Sequence, residues 1–146
     1  MPDTRSSGVY PCYENQFKIG AAANSASAIA DMESFSVSFD NGVEEWTPFD
    51  TEGWRRRLMT AKSITITVSG KRNIGDAGND YVAGMFMLNG TDAQAYVEWT
   101  FPNGDKVVFA NAVINVTNIG AGASTDVGPL EFEIQSNGKP TYTEAS

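Results

Sequence analysis

Paired carboxylates are the side chains of this 146-residue sequence that come closest to a catalytic arrangement. Glu44 is followed directly by Glu45, and one residue separates Glu131 from Glu133. Glycoside hydrolases use two carboxylic acids that flank the bond they cleave. The sequence contains no histidine, which removes every Ser-His or Cys-His nucleophile system. Because nothing in the sequence fixes two carboxylates across a cleft, we predict a protein that is not an enzyme and has no catalytic residue.

Oxygen ligands for a cation occur together in one polar segment. Asn73, Asp76, Asn79 and Asp80 could bind calcium, which prefers oxygen ligands. Their spacing differs from that of an EF-hand loop and lacks its final glutamate, so a polar loop with a helix cap is the favoured interpretation. Cys12 is the only cysteine, which excludes an intrachain disulfide and a zinc site built from thiolates. We therefore predict no metal and no cofactor.

A third group combines arginine with large aromatic side chains. Its members are Trp46, Phe49, Trp54, Arg55, Arg56 and Arg57. The arginines could bind phosphate, pair with carboxylates of a neighbouring subunit, or be solvated. A net charge of −8, from 18 acidic and 10 basic residues, disfavours nucleic-acid binding. Arginine and large aromatic residues are enriched at buried interfaces, so we favour a protein interface.

Length and composition indicate a single domain over residues 1–146, with enough chain for a core. Residues 1–8 are polar and predict a flexible N-terminal arm, and residues 139–146 predict a C-terminal tail. No apolar run is long enough to span a bilayer, and the N-terminus does not look like a signal peptide. We expect a soluble protein, made in a cytoplasm, with no membrane partner.

Alternating apolar and polar residues predict a strand over 63–69 that ends at Gly70. A short helix with one apolar face is predicted after the following polar linker, with Asn79 as its N-cap and Gly90 as its stop. The residues that recur at helical spacing are Tyr81, Val82, Met85, Phe86 and Leu88. A helix this short cannot bury its own apolar stripe, so it must lie against a sheet.

The rest of the chain is rich in strand and turn signals. Met32–Pro48 predicts a β-hairpin whose turn is Asp40-Asn41-Gly42, and residues 46–60 predict a long loop because they show no period. Further strands are predicted over 9–20, 94–101, 106–118 and 130–135, with a loop over 120–128. The predicted fold class is mainly β, a small β-sandwich or half-barrel with one short flanking α-helix.

This order of elements resembles the major tail protein, or tail tube protein, of long flexible-tailed bacteriophages. The similarity extends from about Met32 to Gly138. It rests on the hairpin over 34–48, on the aromatic and basic segment that ends at Thr60, and on two longer passages. These passages read SITITVSGKRNIGDAGNDYVAG and VEWTFPNGDKVVFANAVINVTN, the second followed by LEFEIQSNGKP. None of them is a catalytic signature.

The resemblance implies a structural virion protein. In that family the subunits form stacked hexameric rings, the inner β-sheets join into a barrel around a channel, and DNA passes through it at ejection. The helix packs outside the barrel, and a long loop, matched here by residues 46–60, reaches the neighbouring ring. The implied contact residues are Trp46, Phe49, Trp54, Arg55, Arg56 and Arg57. The implied partners are further copies of the chain, a tape measure protein, a tail terminator and distal tail proteins. The implied location is the host cytoplasm during assembly and then the virion tail.

A channel through which DNA slides should carry few lysines and arginines, because each phosphate contact would hold the duplex. Two sets of residues on predicted strands could line such a channel, although either could also face bulk solvent. One set is Ser34, Ser36, Ser38 and Asp40, and the other is Glu131 and Glu133. Edge strands that look unprotected are explained if neighbours in a ring continue the sheet.

Two alternative functions remain open from the sequence. The inner tube of a contractile tail or secretion-type machine shares the same architecture. From another class, a monomeric β-sandwich module could bind a carbohydrate or a surface receptor through Trp46 and Trp54. Trp99 alternates with apolar neighbours and is predicted to lie in the core.

Overall fold

The computed structural model describes residues 8–145, which form one antiparallel β-sheet and a single α-helix. The predicted mainly β class is confirmed. The predicted N-terminal arm, 1–8, lies outside the described residues except for Gly8, as does Ser146 at the end of the tail. The elements are β1 Gln16–Gly20, β2 Ser27–Ala28, β3 Met32–Trp46, β4 Arg56–Lys71, α1 Ala77–Ala83, β5 Gln94–Thr100, β6 Lys106–Ile119, β7 Pro129–Gln135 and β8 Thr141–Thr143.

The strands do not pair in chain order. Seven of them follow the order β2-β1-β5-β6-β7-β4-β3, and β8 pairs with β6 off this path. The hairpin of β3 and β4 therefore lies beside β7, the last long strand of the chain. Four long strands, β3, β4, β7 and β6, form one continuous half of the sheet.

One face of the sheet is apolar and carries the core. The buried strand residues on it are Ile19, Ile66, Val68, Ala95, Val97, Val107, Phe109, Ala112, Ile114, Leu130, Phe132 and Ile134. The helix adds Val82 and Ala83 to this cluster, and Met85 joins it from the turn that follows. The predicted support of a short helix by a sheet is confirmed, since burial of apolar surface is what holds such a helix in place.

Aromatic contacts show that the sheet curls on itself. Phe35 on β3 lies 5.0 Å from Phe17 on β1 and 5.8 Å from Trp99 on β5, measured between ring centroids. These strands are near opposite ends of the strand order, so they meet only because the sheet bends. The Trp99 indole N–H donates to the side-chain oxygen of Asn15 at 2.9 Å. Trp99 is thus part of the packed interior, as predicted.

The predicted turn at Asp40-Asn41-Gly42 is wrong. Strand β3 continues through these residues, which pair in register with Ser63, Lys62 and Ala61 of β4. The register shifts just after Gly42, and a Cβ atom there would lie 3.0 Å from the Ala61 side chain. Gly42 therefore lies in a β-bulge where the two strands approach closely. Glycine is favoured both in such a bulge and in a hairpin turn, so its presence in the sequence does not distinguish the two.

The hairpin turns later in the chain and the loop is shorter than predicted. The connection between β3 and β4 covers residues 47–55, whereas the prediction gave a loop over 46–60. Glu52 and Gly53 provide the left-handed backbone of the turn, with φ of 54° and 89°. The tail predicted over 139–146 also contains structure, because β8 pairs with the start of β6.

The predicted helix cap is wrong by three residues. Asp76 is the N-cap, and its carboxylate accepts a hydrogen bond of 3.0 Å from the backbone N–H of Asn79. The helix ends at Ala83, well before the predicted stop at Gly90. Asn79 is instead fully buried within the first turn, where its side chain makes four hydrogen bonds.

Gly78 should not tolerate a side chain, although it lies in a helix. A Cβ atom there would lie 2.2 Å from the carbonyl oxygen of Ala28. This oxygen belongs to the backbone, so no side-chain rotation can relieve the overlap. We expect Gly78→Ala to lower the free energy of unfolding by about 1–3 kcal/mol through overpacking. Urea unfolding measures this, with Gly128→Ala, whose nearest contact would be an ordinary 3.6 Å, as the control. Equal stability of the two variants would contradict the close packing of α1 on β2.

Candidate functional site

Strand register brings the two predicted sets of channel-lining residues onto one surface. Ser36 on β3 pairs with Thr67 on β4, Thr67 pairs with Glu133 on β7, and Glu133 pairs with Asn115 on β6. Directly paired residues of an antiparallel sheet point to the same side. This surface, the polar face, consists of Ser34, Ser36, Ser38, Asp40, Ser63, Thr65, Thr67, Ser69, Asn115, Glu131, Glu133 and Gln135.

The polar face is acidic and hydroxyl-rich. At its end, Lys71 follows Ser69 on the same side of β4 and forms an ion pair with Glu33 at 3.3 Å. Within residues 8–145, none of the carboxylates of the polar face forms an ion pair. The amides of Asn115 and Gln135 donate to one oxygen of Glu133, at 3.2 and 2.9 Å. Apolar strand residues and α1 occupy the opposite side of the sheet. The sequence showed the hydroxyls of β4 as an alternating pattern but gave no reason to join them to β7.

A two-stranded ribbon extends beyond the body of the sheet. The pairing of β4 with β7 begins at Thr65, and the part of β4 before it pairs only with β3 among the described residues. We define the hairpin arm as residues 39–63 and the arm tip as residues 49–54. A hairpin with two strands is at best marginally stable alone in water. The hairpin arm therefore receives little support from the rest of the sheet.

The hairpin arm exposes large apolar side chains along its length. These are Phe39, Val43, Trp46, Phe49, Trp54, Leu58 and Met59. At the arm tip, Phe49 is completely exposed and Trp54 is 78% exposed. Such a concentration of exposed apolar surface marks an interaction site in a folded protein. Trp46, Phe49 and Trp54 were among the contact residues predicted from the sequence. Leu58 and Met59 were not, although they follow directly after the three arginines.

The three arginines already have partners within the hairpin arm. Arg55 and Arg57 flank Glu45 with N–O distances of 3.4 and 3.5 Å. The Arg56 guanidinium lies 5.9 Å from the centre of the Trp46 ring, within cation–π range. These contacts occupy one face of the Trp46 ring and leave Phe49 and Trp54 exposed. That Trp46, Phe49, Trp54 and the arginines contact a neighbouring subunit stays a prediction.

The segment considered for calcium is a hydrogen-bonded loop around an arginine. Arg72 donates through one guanidinium nitrogen to Asn79 and to Asp80, both at 2.8 Å. The Asp76 carboxylate caps the helix and also accepts from the backbone N–H of Ala30 at 3.1 Å. In the part of the chain from 8 to 145, no cluster of three His, Cys, Asp or Glu side chains is placed to hold a metal ion. This geometry matches the favoured interpretation, a polar loop with a helix cap.

Comparison with solved structures gives the fold. A chain from the tail of an empty gene transfer agent particle, refined helically with C6 symmetry, has a TM-score of 0.73 at 20% identity, and the match covers 93% of this chain and 100% of that one. A chain from the virion of a native gene transfer agent particle has a TM-score of 0.70 at 18% identity, covering 93% and 100%. A chain from the sheath-tube complex of an extracellular contractile injection system has 0.61 at 14%, covering 96% and 95%.

No family model matches the sequence, and no curated protein matches it. Among residues 8–145, no helix has the length and apolar character needed to cross a membrane. The likeness to tail and tube chains therefore lies in structure, at identities of 20% and below. It confirms the predicted tail tube-like fold over nearly the whole chain.

The ion pair in the loop before α1 predicts a pH dependence of stability. The hydrogen bond from Arg72, followed by those from the Gly75 N–H, lowers the pKa of Asp80 below its ordinary value of 3.8. The folded pKa is therefore below the unfolded one, so the ionised carboxylate stabilises the fold above about pH 4 and this contribution is lost as pH falls through the lowered pKa.

We expect Asp80→Asn to reduce the free energy of unfolding at pH 7, with the difference from the unsubstituted protein shrinking toward pH 2.5. Urea unfolding across this range measures the effect. Asp50→Asn is the control, because Asp50 makes no hydrogen bond or ion pair within the described residues. A pH-independent difference for Asp80→Asn would contradict the role given to the Arg72 pair.

Proposed function

We propose that this chain is a tail tube subunit of a phage-like particle. Copies assemble into stacked hexameric rings and form the hollow channel through which DNA passes during ejection. The role is structural, and the protein catalyses no reaction. The fold supports the proposal, since its structural neighbours include a chain from a tail with C6 symmetry. The observation that carries it is the uncovered hairpin arm, whose exposed apolar side chains need a partner.

In the proposed ring, the curved half of the sheet forms the wall of the channel. Strands β3, β4, β7 and β6 present a polar face on one side and the core with α1 on the other. Facing this surface inward places hydroxyls and carboxylates along the channel and the helix outside. Phosphates would be repelled rather than held, because the polar face carries unpaired carboxylates and the charge of Lys71 at its end is balanced by Glu33. DNA then passes without specific binding.

A tail tube subunit has defined partners and a defined location in the particle. Each subunit contacts other copies within its ring and, through the hairpin arm, copies in the next ring. The other partners that the resemblance implies are a tape measure protein, a tail terminator and distal tail proteins. The subunit is made in the host cytoplasm and becomes part of the virion tail.

A second candidate is the inner tube of a contractile machine. The likeness to a chain of a contractile injection system sheath-tube complex supports it. The two candidates differ at the outer surface, since a contractile tube must bind a sheath around it. Recruitment of a sheath protein onto purified tubes would favour the second candidate over a flexible tail.

The module that binds carbohydrate or a receptor through Trp46 and Trp54 is the competitor from another class. Trp46 is engaged by Arg56, which leaves Trp54 as the open aromatic platform of this pair. Glycan retention on an array that is lost in Trp54→Ala, by a protein that remains monomeric, would support this competitor and contradict the tube.

Electron microscopy of the concentrated purified protein tests the proposed function. We expect hollow rings or tubes with six-fold symmetry, accompanied by a large sedimentation coefficient. A protein that sediments as a monomer at all concentrations, and does not join tubes when preformed tube ends are added, would contradict the proposal.

Removing the aromatic side chains of the arm tip should stop assembly without unfolding the subunit. We expect the double variant Phe49→Ala with Trp54→Ala to form no tubes, because the apolar surface that joins subunits is lost. Its free energy of unfolding should change by less than about 0.5 kcal/mol, since both side chains are exposed. Met87→Ala, also exposed and remote in sequence from the hairpin arm, is the matched control and should assemble. Normal tubes from the double variant would refute the role of the arm tip.

Cysteine labelling distinguishes the two sides of the sheet. In a Cys12→Ser background, Ser36→Cys lies on the polar face and Met87→Cys lies just after the helix. We expect both to react with a maleimide carried on a bulky polymer in the unassembled protein. In tubes, Met87→Cys should still react and Ser36→Cys should be protected. The reverse pattern would show that the polar face is outside.

A further inference from the structure

A groove lies at the base of the hairpin arm, where β7 leaves the edge of β4. Its volume is about 650 Å³, and its wall includes six successive residues of β4, from Met59 to Ile64. Ser136 closes one end, exchanging hydrogen bonds of 2.9 Å with the backbone of Ile64. The other wall is the segment from Gly138 to Pro140. A groove of this size suits bulky apolar groups.

The groove is lined by residues from both sides of the sheet. Phe39 and Ile64, which pair directly and line the groove, alternate with Asp40 and Ser63 of the polar face. Ser63 also lines the groove. An occupant therefore lies at the edge of the polar face, next to the hairpin arm.

Two lysines without partners stand at the rim. Lys62 and Lys139 line the groove and are exposed, and within residues 8–145 neither forms an ion pair. Every other cation in this range has an acidic or aromatic neighbour: Lys18 and Lys106 with Glu98, Arg55 and Arg57 with Glu45, Arg56 with Trp46, Lys71 with Glu33, and Arg72 with Asp80. In a chain of net charge −8, such a pair is an unbalanced positive site.

The arm tip has the complementary chemistry. Phe49 and Trp54 are its exposed apolar groups, and Asp50 and Glu52 lie between them. Neither carboxylate forms an ion pair within the described residues. Two aromatic rings with two negative charges thus match an apolar groove with two positive charges at its rim.

The arm tip cannot reach the groove of its own chain. Met59 is the groove residue nearest the tip, and it pairs with Val43. From Val43 to Trp46 there are three residue steps, or about 10 Å of paired strand, before the connection that carries the tip begins. Folding back would require breaking the β3–β4 pairing that builds the hairpin arm. The occupant must therefore come from a second copy.

We propose that the arm tip of one copy docks into the groove at the arm base of a second copy, with Phe49 and Trp54 in the groove and Asp50 and Glu52 beside Lys62 and Lys139. This rests on the proposed function and names the receiving site of the contact between rings. The contact is head-to-tail, because tip and groove are different surfaces of the same chain. Head-to-tail contacts propagate without limit unless they close, which is what a tube requires.

Charge reversal tests the docking. We expect the double variant Lys62→Glu with Lys139→Glu to raise the protein concentration needed for tube formation at least tenfold, and Asp50→Lys with Glu52→Lys to do the same. Combining all four substitutions in one chain should restore assembly to within threefold of the unsubstituted protein. As a control, Lys71→Glu reverses a cation outside the groove whose ion pair with Glu33 is exposed, and it should assemble like the unsubstituted protein. Failure of the four-fold variant to recover, or normal assembly by either double variant, would overturn the docking.

Cross-linking gives a readout that does not depend on tube shape. In the Cys12→Ser background, Phe49→Cys protein is mixed with Ala61→Cys protein, assembled, and treated with a short bismaleimide. We expect a covalent dimer of the two variants. A mixture of Phe49→Cys with Met87→Cys protein is the control and should give none. A dimer only in the control mixture, or in neither mixture, would contradict the docking.

The two proposals fail differently. If the unsubstituted protein sediments as a monomer at all concentrations and does not join preformed tube ends, the proposed function fails. If it forms tubes, but the charge variants assemble normally and Phe49→Cys does not link to Ala61→Cys, the docking fails and the tube stands.

Discussion

The pairing of β4 with β7 ends at Thr65 and Gln135. This end point divides the molecule into a four-stranded body and a two-stranded hairpin arm. On one side of it, four strands share hydrogen bonds and form a rigid curved surface. On the other, β3 and β4 continue together as a ribbon with no further strand beside them among the described residues. A backbone edge and apolar side chains left open in this way favour association with another chain.

The rigid part is held by two contacts that join distant elements. Phe17, Phe35 and Trp99 close the curl of the sheet. Asn79, with no exposed surface, bonds to Arg72 and to the backbone of residues 30, 71 and 73, which fixes α1 against the chain that enters β3. Because buried polar groups cost free energy unless they are bonded, this arrangement locks the helix in one position. The hairpin arm thus extends from a body with a single defined shape.

Local sequence patterns predicted the positions of individual strands, which depend on neighbouring residues. They did not predict which strands pair, because the paired strands are far apart in the chain. Alternation located β6 and β7 to within a residue or two. Gly42 was misread because a bulge and a turn favour the same residue type. The joining of β3, β4, β7 and β6 into one polar face follows from register between strands far apart in the chain, which no local pattern contains. The groove at the arm base was missed for the same reason, since its walls come from β4 and from residues 136–140.

Hydrogen exchange, followed by mass spectrometry at low and high protein concentration, tests the central claim that the hairpin arm is completed by another copy. We expect fast exchange of the β3 and β4 amides of the hairpin arm in the dilute subunit and strong protection after assembly, with β6 and β7 protected in both. An arm that is equally protected in the dilute subunit, or that stays unprotected in assembled particles, would contradict it.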